Sequence, residues 1–269
     1  NTQHTKIMER IYIFILVLAG TEAEKQRMFI NGLRVFSGDP DLSSKYTYVV
    51  SLMPRPFLGQ TLVPRICTGS LINANWVITA AHCINPLIKF IQYGNMSIPL
   101  TVTPTKSMVI RQIKHPRHFS LPPINDVGLL LVEPVMMYKY GTISAMDYKT
   151  LQGYPVEYAG LGSTYLNGFK YKNKLKQYIV DFIRPLQIGK GLVKSCDDGI
   201  LTKNLICISS KCSHRQFVLP GDSGGPLLFD DKIIGVGCAI TIDYSEQAFT
   251  PVSPFVTWIH KTIISTNIS

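Results

Sequence analysis

Gly221-Asp222-Ser223-Gly224-Gly225-Pro226 is the stretch that orders the rest of the chain, because a serine flanked by three glycines and an aspartate is a demanding local arrangement. The glycines let the backbone turn sharply, so that the N–H groups of Gly221 and Ser223 can face one developing oxyanion. A serine hydroxyl is a poor nucleophile near neutral pH. It needs an imidazole to take its proton, and that imidazole needs a buried acceptor to fix its tautomer. Two strings upstream supply both groups: Thr79-Ala80-Ala81-His82-Cys83 ends a run that begins at Trp76, and Asn125-Asp126-Val127-Gly128-Leu129-Leu130 opens an apolar one. In order along the chain they give a base, a carboxylate and a hydroxyl.

Around these strings, short β-rich runs alternate with turn residues. Tyr46–Met53, Ile66–Ile72, Trp76–Ala80, Val127–Val132, Val156–Gly160, Leu175–Ile183 and Ile233–Ala239 read as strands. Pro54-Arg55-Pro56, Pro122-Pro123 and Gly189–Gly191 read as the punctuation between strands. Pro254–Thr266 is helical in pattern, with Phe255, Val256, Trp258, Ile259 and Ile263 on one face. Many short strands with one terminal helix point to an all-β sandwich or a pair of barrels.

With 46% hydrophobic and 16% charged residues, the 269-residue chain is globular rather than disordered or fibrous. Its 27 basic and 17 acidic side chains leave a net charge of +10, which attracts anionic surfaces but says nothing about fold. No Lys/Arg block exceeds two residues and no motif for reading bases is present, so nucleic acid is not the expected partner. The six cysteines show no zinc-type spacing, which favours disulfides.

Ile11–Ala19 is an unbroken apolar run, preceded by Met8-Glu9-Arg10 and followed by Thr21-Glu22-Ala23. That layout is a secretory signal peptide over residues 8–23, with 1–7 upstream of the start, and no stretch is long enough for a transmembrane segment. The expected compartment is extracellular. The acceptor triplets Asn95-Met96-Ser97 and Asn267-Ile268-Ser269 agree with it.

The order His82, Asp126, Ser223 and the strings around them resemble the trypsin/chymotrypsin-like serine proteases, from about Phe29 onward. The resemblance implies two packed six-stranded antiparallel β-barrels with a C-terminal helix. Barrel one would span about 29–145 and barrel two about 146–269, with 24–28 as a short propeptide. It implies that His82 is the general base, that Asp126 orients it, and that Ser223 attacks the scissile carbonyl. Asp222 matches the aspartate that pairs with the freed N-terminus when a zymogen is cut. Cys67–Cys83 and Cys196–Cys207 match two family disulfides, with Cys67-Thr68-Gly69-Ser70-Leu71 similar to the usual CGGSL. Cys212 and Cys238 remain, either paired or as free thiols.

Departures from the family pattern bear on specificity. Leu219 stands where a cysteine normally precedes the nucleophile, and Cys238 takes the place of a serine that touches the catalytic aspartate. Phe217 falls at the floor of the primary pocket, where trypsin-like enzymes carry Asp; Ile240 and Gln247 replace pocket-wall glycines. All three fill space, so the expectation is no Arg/Lys preference and a shallow or closed pocket. The activation frame Phe29-Ile30-Asn31-Gly32 follows Met28 rather than a basic residue, with Arg27 one place early.

Three functions fit these residues: a secreted serine endopeptidase, a catalytically silent homologue that binds or regulates through the same cleft, and a basic module for acidic glycans or membranes. The complete set of reactive residues favours the endopeptidase. Its partners would be a protein or peptide substrate and an activating protease, acting on a monomer. No metal or organic cofactor is implied.

Overall fold

The computed structural model describes residues 35, 38–55, 66–96, 105–120, 123–162, 185–196, 204–210, 216, 218, 221–240 and 247–266. The proposed leader and propeptide, Phe29, Cys212, Phe217, Leu219 and the expected strand Leu175–Ile183 lie outside them.

Six strands close the first barrel in the order β2-β3-β4-β7-β6-β5. They are β2 (Val49–Pro54), β3 (Cys67–Leu71), β4 (Trp76–Thr79), β5 (Ile88–Tyr93), β6 (Thr105–Lys114) and β7 (Gly128–Val132), following a short β1 (Asp39–Pro40). The local chemistry explains where β4 begins. Asn73 Oδ1 accepts from the N–H groups of Asn75 (2.9 Å) and Trp76 (3.0 Å), an Asx turn that delivers the apolar run Trp76-Val77-Ile78 to the barrel interior. Every residue of β4 is buried.

Barrel two contains β9 (Pro155–Gly160), β10 (Gln187–Lys194), β11 (Ile206–Ser210), β12 (Pro226–Phe229), β13 (Lys232–Ile240) and β14 (Gln247–Pro251). Their order is β10-β11-β14-β13-β12-β9, and the further pairing of β9 with β10 closes the ring. The fold is the expected pair of six-stranded barrels. Two short strands from the first half of the chain join the second sheet: β1 pairs with β10 and β8 (Thr142–Ile143) with β13.

Gly189–Gly191, expected as a turn, lies inside β10 instead. The reason is close approach: a Cβ at Gly189 would overlap the Tyr158 ring, and one at Gly191 would sit 2.7 Å from the Ser209 carbonyl.

One core cluster joins the barrels, with Leu52, Trp76, Ile78 and Leu129 on one side and Leu228, Ile233 and Val236 on the other. A second cluster fills barrel two around Tyr158, Ile208, Leu227 and Phe249. The helix α1 (Val256–Thr266) returns to barrel one. There the His115 ring meets Phe255 at 5.0 Å and Trp258 at 4.9 Å between centroids, both edge-on.

Candidate active site

His82 sits in a single 3₁₀ turn, Ala81–Cys83, that leaves the end of β4. The β4–β7 register pairs Thr79 with Gly128, so the residues just beyond each strand end face one another. Glycine suits position 128, because a Cβ would overlap the tip of the Ile84 side chain and crowd the Ile113 carbonyl. Asn125, just upstream, has φ +49° and anchors its side-chain amide to the Arg117 carbonyl at 2.8 Å. The chain thereby delivers Asp126 to His82.

The contact is double. Asp126 Oδ1 accepts the His82 backbone N–H at 2.8 Å, and Oδ2 lies 2.6 Å from His82 Nδ1. A carboxylate on Nδ1 leaves Nε2 as the basic nitrogen. Asp126 is 1% exposed and the His82 side chain 28%, so the acceptor is dry while the imidazole reaches the surface. Burial pushes the Asp126 carboxyl up, but the His82 charge and hydrogen bonds outweigh it and hold the group below its ordinary range.

Ser223 occupies the turn between Gly221 and Gly225, which is tied to both barrels. Gly221 (φ +99°) and Gly224 (φ +79°) take left-handed backbone. A Cβ on Gly224 would also collide with the Thr79 hydroxyl and the Thr68 carbonyl. On the barrel-two side, the Gly224 N–H donates to the Gly237 carbonyl and the Gly237 N–H to the Gly225 carbonyl, both at 2.8 Å. From barrel one, the Thr68 N–H reaches the Ser223 carbonyl at 2.9 Å and the Thr68 hydroxyl donates to the Gly221 carbonyl at 2.7 Å. The Cys67–Cys83 disulfide packs against both the His82 ring and the Ser223 backbone. Cys83 Sγ is 3.7 Å from His82 Nε2 and 3.5 Å from the Ser223 carbonyl oxygen. Its sulfurs are bonded to each other, so neither offers a thiolate to a metal beside His82.

Asp222 is 2% exposed, and its Oδ1 accepts the Gly162 N–H at 2.7 Å. Gly160 and Gly162 give it room, since a Cβ on either would strike the carboxylate. Cys196–Cys207 is the second disulfide. Cys238 is a free, buried thiol, the second of the two alternatives left open for it. It falls at the irregularity in the β13–β14 register, where Gly237 pairs with Phe249 and Ala239 with Ala248. Burial, and then the negative charge of Asp126, push its pKa well up.

The expected pocket residues are partly placed. Ile240 pairs through its backbone with Gln247. Gln247 is 1% exposed, and its amide does more than fill space. Its Oε1 accepts the Val218 N–H at 2.8 Å and its Nε2 donates to the Gln216 carbonyl at 2.9 Å, one bond on each side of Phe217. A further group went unread in the sequence: His118 Nδ1 lies 3.8 Å from Asp126 Oδ1, its side chain 8% exposed. A histidine in a polar loop carries no pattern that would announce this.

The profile of the family described as Trypsin matches residues 48–259. Among curated proteins, the chain is 30% identical to a trypsin of Xenopus laevis over 74% of this chain and 81% of that protein. It is 29% identical to serine protease SP24D of Anopheles gambiae, over 90% and 85% respectively. Kallikrein-10 of Homo sapiens shares 28%, over 74% of each chain. Among solved structures, neuropsin, described as a serine protease expressed in the limbic system of mouse brain, superposes with a TM-score of 0.66 at 21% identity. That superposition covers 84% of this chain and 99% of neuropsin.

Proposed function

We propose, for a chain that belongs to the trypsin family and is a serine-type endopeptidase, that His82, Asp126 and Ser223 carry the hydrolysis. The observation that supports this most directly is the double hold of Asp126 on His82, through ring Nδ1 and backbone N–H together. Held so, His82 Nε2 takes the Ser223 proton as the hydroxyl attacks the peptide carbonyl, and returns it to the leaving amine. The N–H groups of Gly221 and Ser223 stabilise the oxyanion, and water releases the acyl group from Ser223. Asp222 receives the new N-terminus at Phe29 after cleavage of the precursor, a switch built on a carboxylate buried next to Ser223.

The specificity we assign is not tryptic. Phe217 gives the pocket floor no charge for Arg or Lys, and the Gln247 amide fastens the backbone on both sides of that floor. Small or apolar side chains suit such a pocket. We place the protein outside the cell, on the leader-like Met8–Ala23 and the two disulfides. Among the described residues, no helix is long and apolar enough to cross a membrane.

A fluorophosphonate probe tests the reading, since it reacts with an activated serine whatever the pocket prefers. A chain starting at Phe29 should label, and Ser223→Ala should not. The uncut precursor should label far more slowly. Absence of labelling in a folded Phe29 form would overturn the assignment.

A further inference from the structure

Asp126 faces two imidazoles, those of His82 and His118. His118 enters from the loop between β6 and β7, where its N–H donates to the His115 carbonyl at 2.9 Å and the bridge Phe119–Ile124 closes the hairpin behind it. Its Nε2 lies 3.4 Å from the Ser120 hydroxyl at the surface. Its Nδ1 points the other way, is buried, and has no hydrogen-bond partner among the described residues. What it faces is Asp126 Oδ1, 3.8 Å away, the same oxygen that accepts the His82 backbone N–H. A buried ring nitrogen that faces a carboxylate at this distance is attracted most strongly when the ring is protonated.

We propose that His118 is a positioning residue for the hydrolysis, whose protonation draws the single charge of Asp126 away from His82 and switches the enzyme down in acid. The inference rests on the triad assigned above. One carboxylate can neutralise one imidazolium, and the transition state needs that imidazolium to be His82. A second cation on Oδ1 competes for the same charge and repels the proton that His82 must accept. Both rings therefore have to be neutral for turnover, and the two protonations act as one coupled set.

The other groups around these rings sharpen the effect rather than relieve it. His115 and Arg117 on the same loop are basic, and His115 is pushed down by burial first, and then by the charges of Arg117 and His118. From β13 comes the Cys238 thiol, which burial and Asp126 keep protonated. Among these groups Asp126 is the one anion.

The pH profile of kcat/KM, measured with a peptide substrate, is the test. In the native enzyme the acid limb should steepen toward a slope of two in log rate against pH. In His118→Phe and His118→Gln it should relax to one. The variants' rate relative to native should then rise about tenfold per pH unit once His118 is protonated. A slope of one in the native enzyme, or equal losses at every pH in both variants, would overturn the proposal.

A second readout does not depend on turnover. In the Ser223→Ala protein, the His82 ring resonances followed against pH should show two inflections, and one after His118→Gln is added. A single inflection before that change overturns the coupling even if the triad assignment holds. Two inflections in a protein whose Ser223 never labels would sink the triad reading and leave the coupling standing.

Discussion

The hydroxyl of Thr68, on a strand of barrel one, donates to the carbonyl of Gly221 across 2.7 Å, so one barrel holds the turn that the other presents. Thr68 is fully buried, its own carbonyl accepts from Thr79 Oγ1 at 2.8 Å, and its N–H holds Ser223. Removing the hydroxyl strands the Gly221 carbonyl in the turn that carries Ser223. Thr68→Val should lower kcat about tenfold with KM changed less than about twofold, and Thr68→Ser should restore it. Steady-state kinetics of both variants decide it.

Gln247 gives a specificity prediction. Its amide makes two hydrogen bonds flanking position 217, one buried and one partly buried, so Gln247→Gly both frees that segment and opens space. The P1 preference in a peptide library should shift toward larger side chains, and the melting temperature should fall by several degrees. Efficient cleavage after Arg or Lys by the native enzyme would contradict the pocket assignment.

Asp126→Asn keeps the shape and removes the charge that fixes His82. The rate should fall about 10³- to 10⁴-fold at neutral pH, with binding much less affected. The stability signature is separate. A carboxyl held low in the folded state contributes stability that is present above its unfolded value near 4. It is lost as pH falls through the lower folded value. Urea midpoints of the native protein should therefore drop more steeply below pH about 4 than those of Asp126→Asn.

His115 works in a higher window. Its Nδ1 accepts the Arg117 N–H at 3.3 Å, its ring packs on Phe255 and Trp258, and its pKa is lowered. The folded state binds this proton less readily than the unfolded chain does. Stability is thus full above the unfolded value of about 6.5 and declines as pH falls below it. Thermal unfolding between pH 7.5 and pH 5 should show that decline, and His115→Gln should flatten it.

Cys238 is predicted to be inert in the folded enzyme, since it is buried and its thiolate is disfavoured. Alkylation followed by peptide mass analysis should leave Cys238 unmodified in native protein and modify it after unfolding. Rapid native modification would place it nearer the surface than its packing allows.

How much of this was legible beforehand depended on the kind of constraint. His82, Asp126 and Ser223 announce themselves because nucleophilic chemistry admits few residue types, and the glycines around Ser223 answer to left-handed backbone and to collisions with Thr68 and Thr79. The β4 and β7 runs were plain from their unbroken apolar character. Gly189–Gly191 misled, because the same residue that makes turns also lets strands pass close to a ring such as Tyr158. Gln247 was read by its volume, while its effect comes from the direction of its amide. His118 was invisible for a related reason: its meaning is a 3.8 Å approach across a hairpin, which no spacing in the chain encodes.

The pairing of β1 with β10, Asp39 opposite Ile188, also sets an order on biosynthesis. A ribosome delivers Asp39 early, yet its partner strand emerges only after the whole first barrel has been made. α1, which covers His115 of barrel one, follows after every strand of both barrels. During translation the first barrel therefore exists for a time with a bare apolar flank, exposed to chaperones and to neighbouring nascent chains. Slowing synthesis should lengthen that exposure, so yield would respond to the pace of translation through the second half of the message rather than the first.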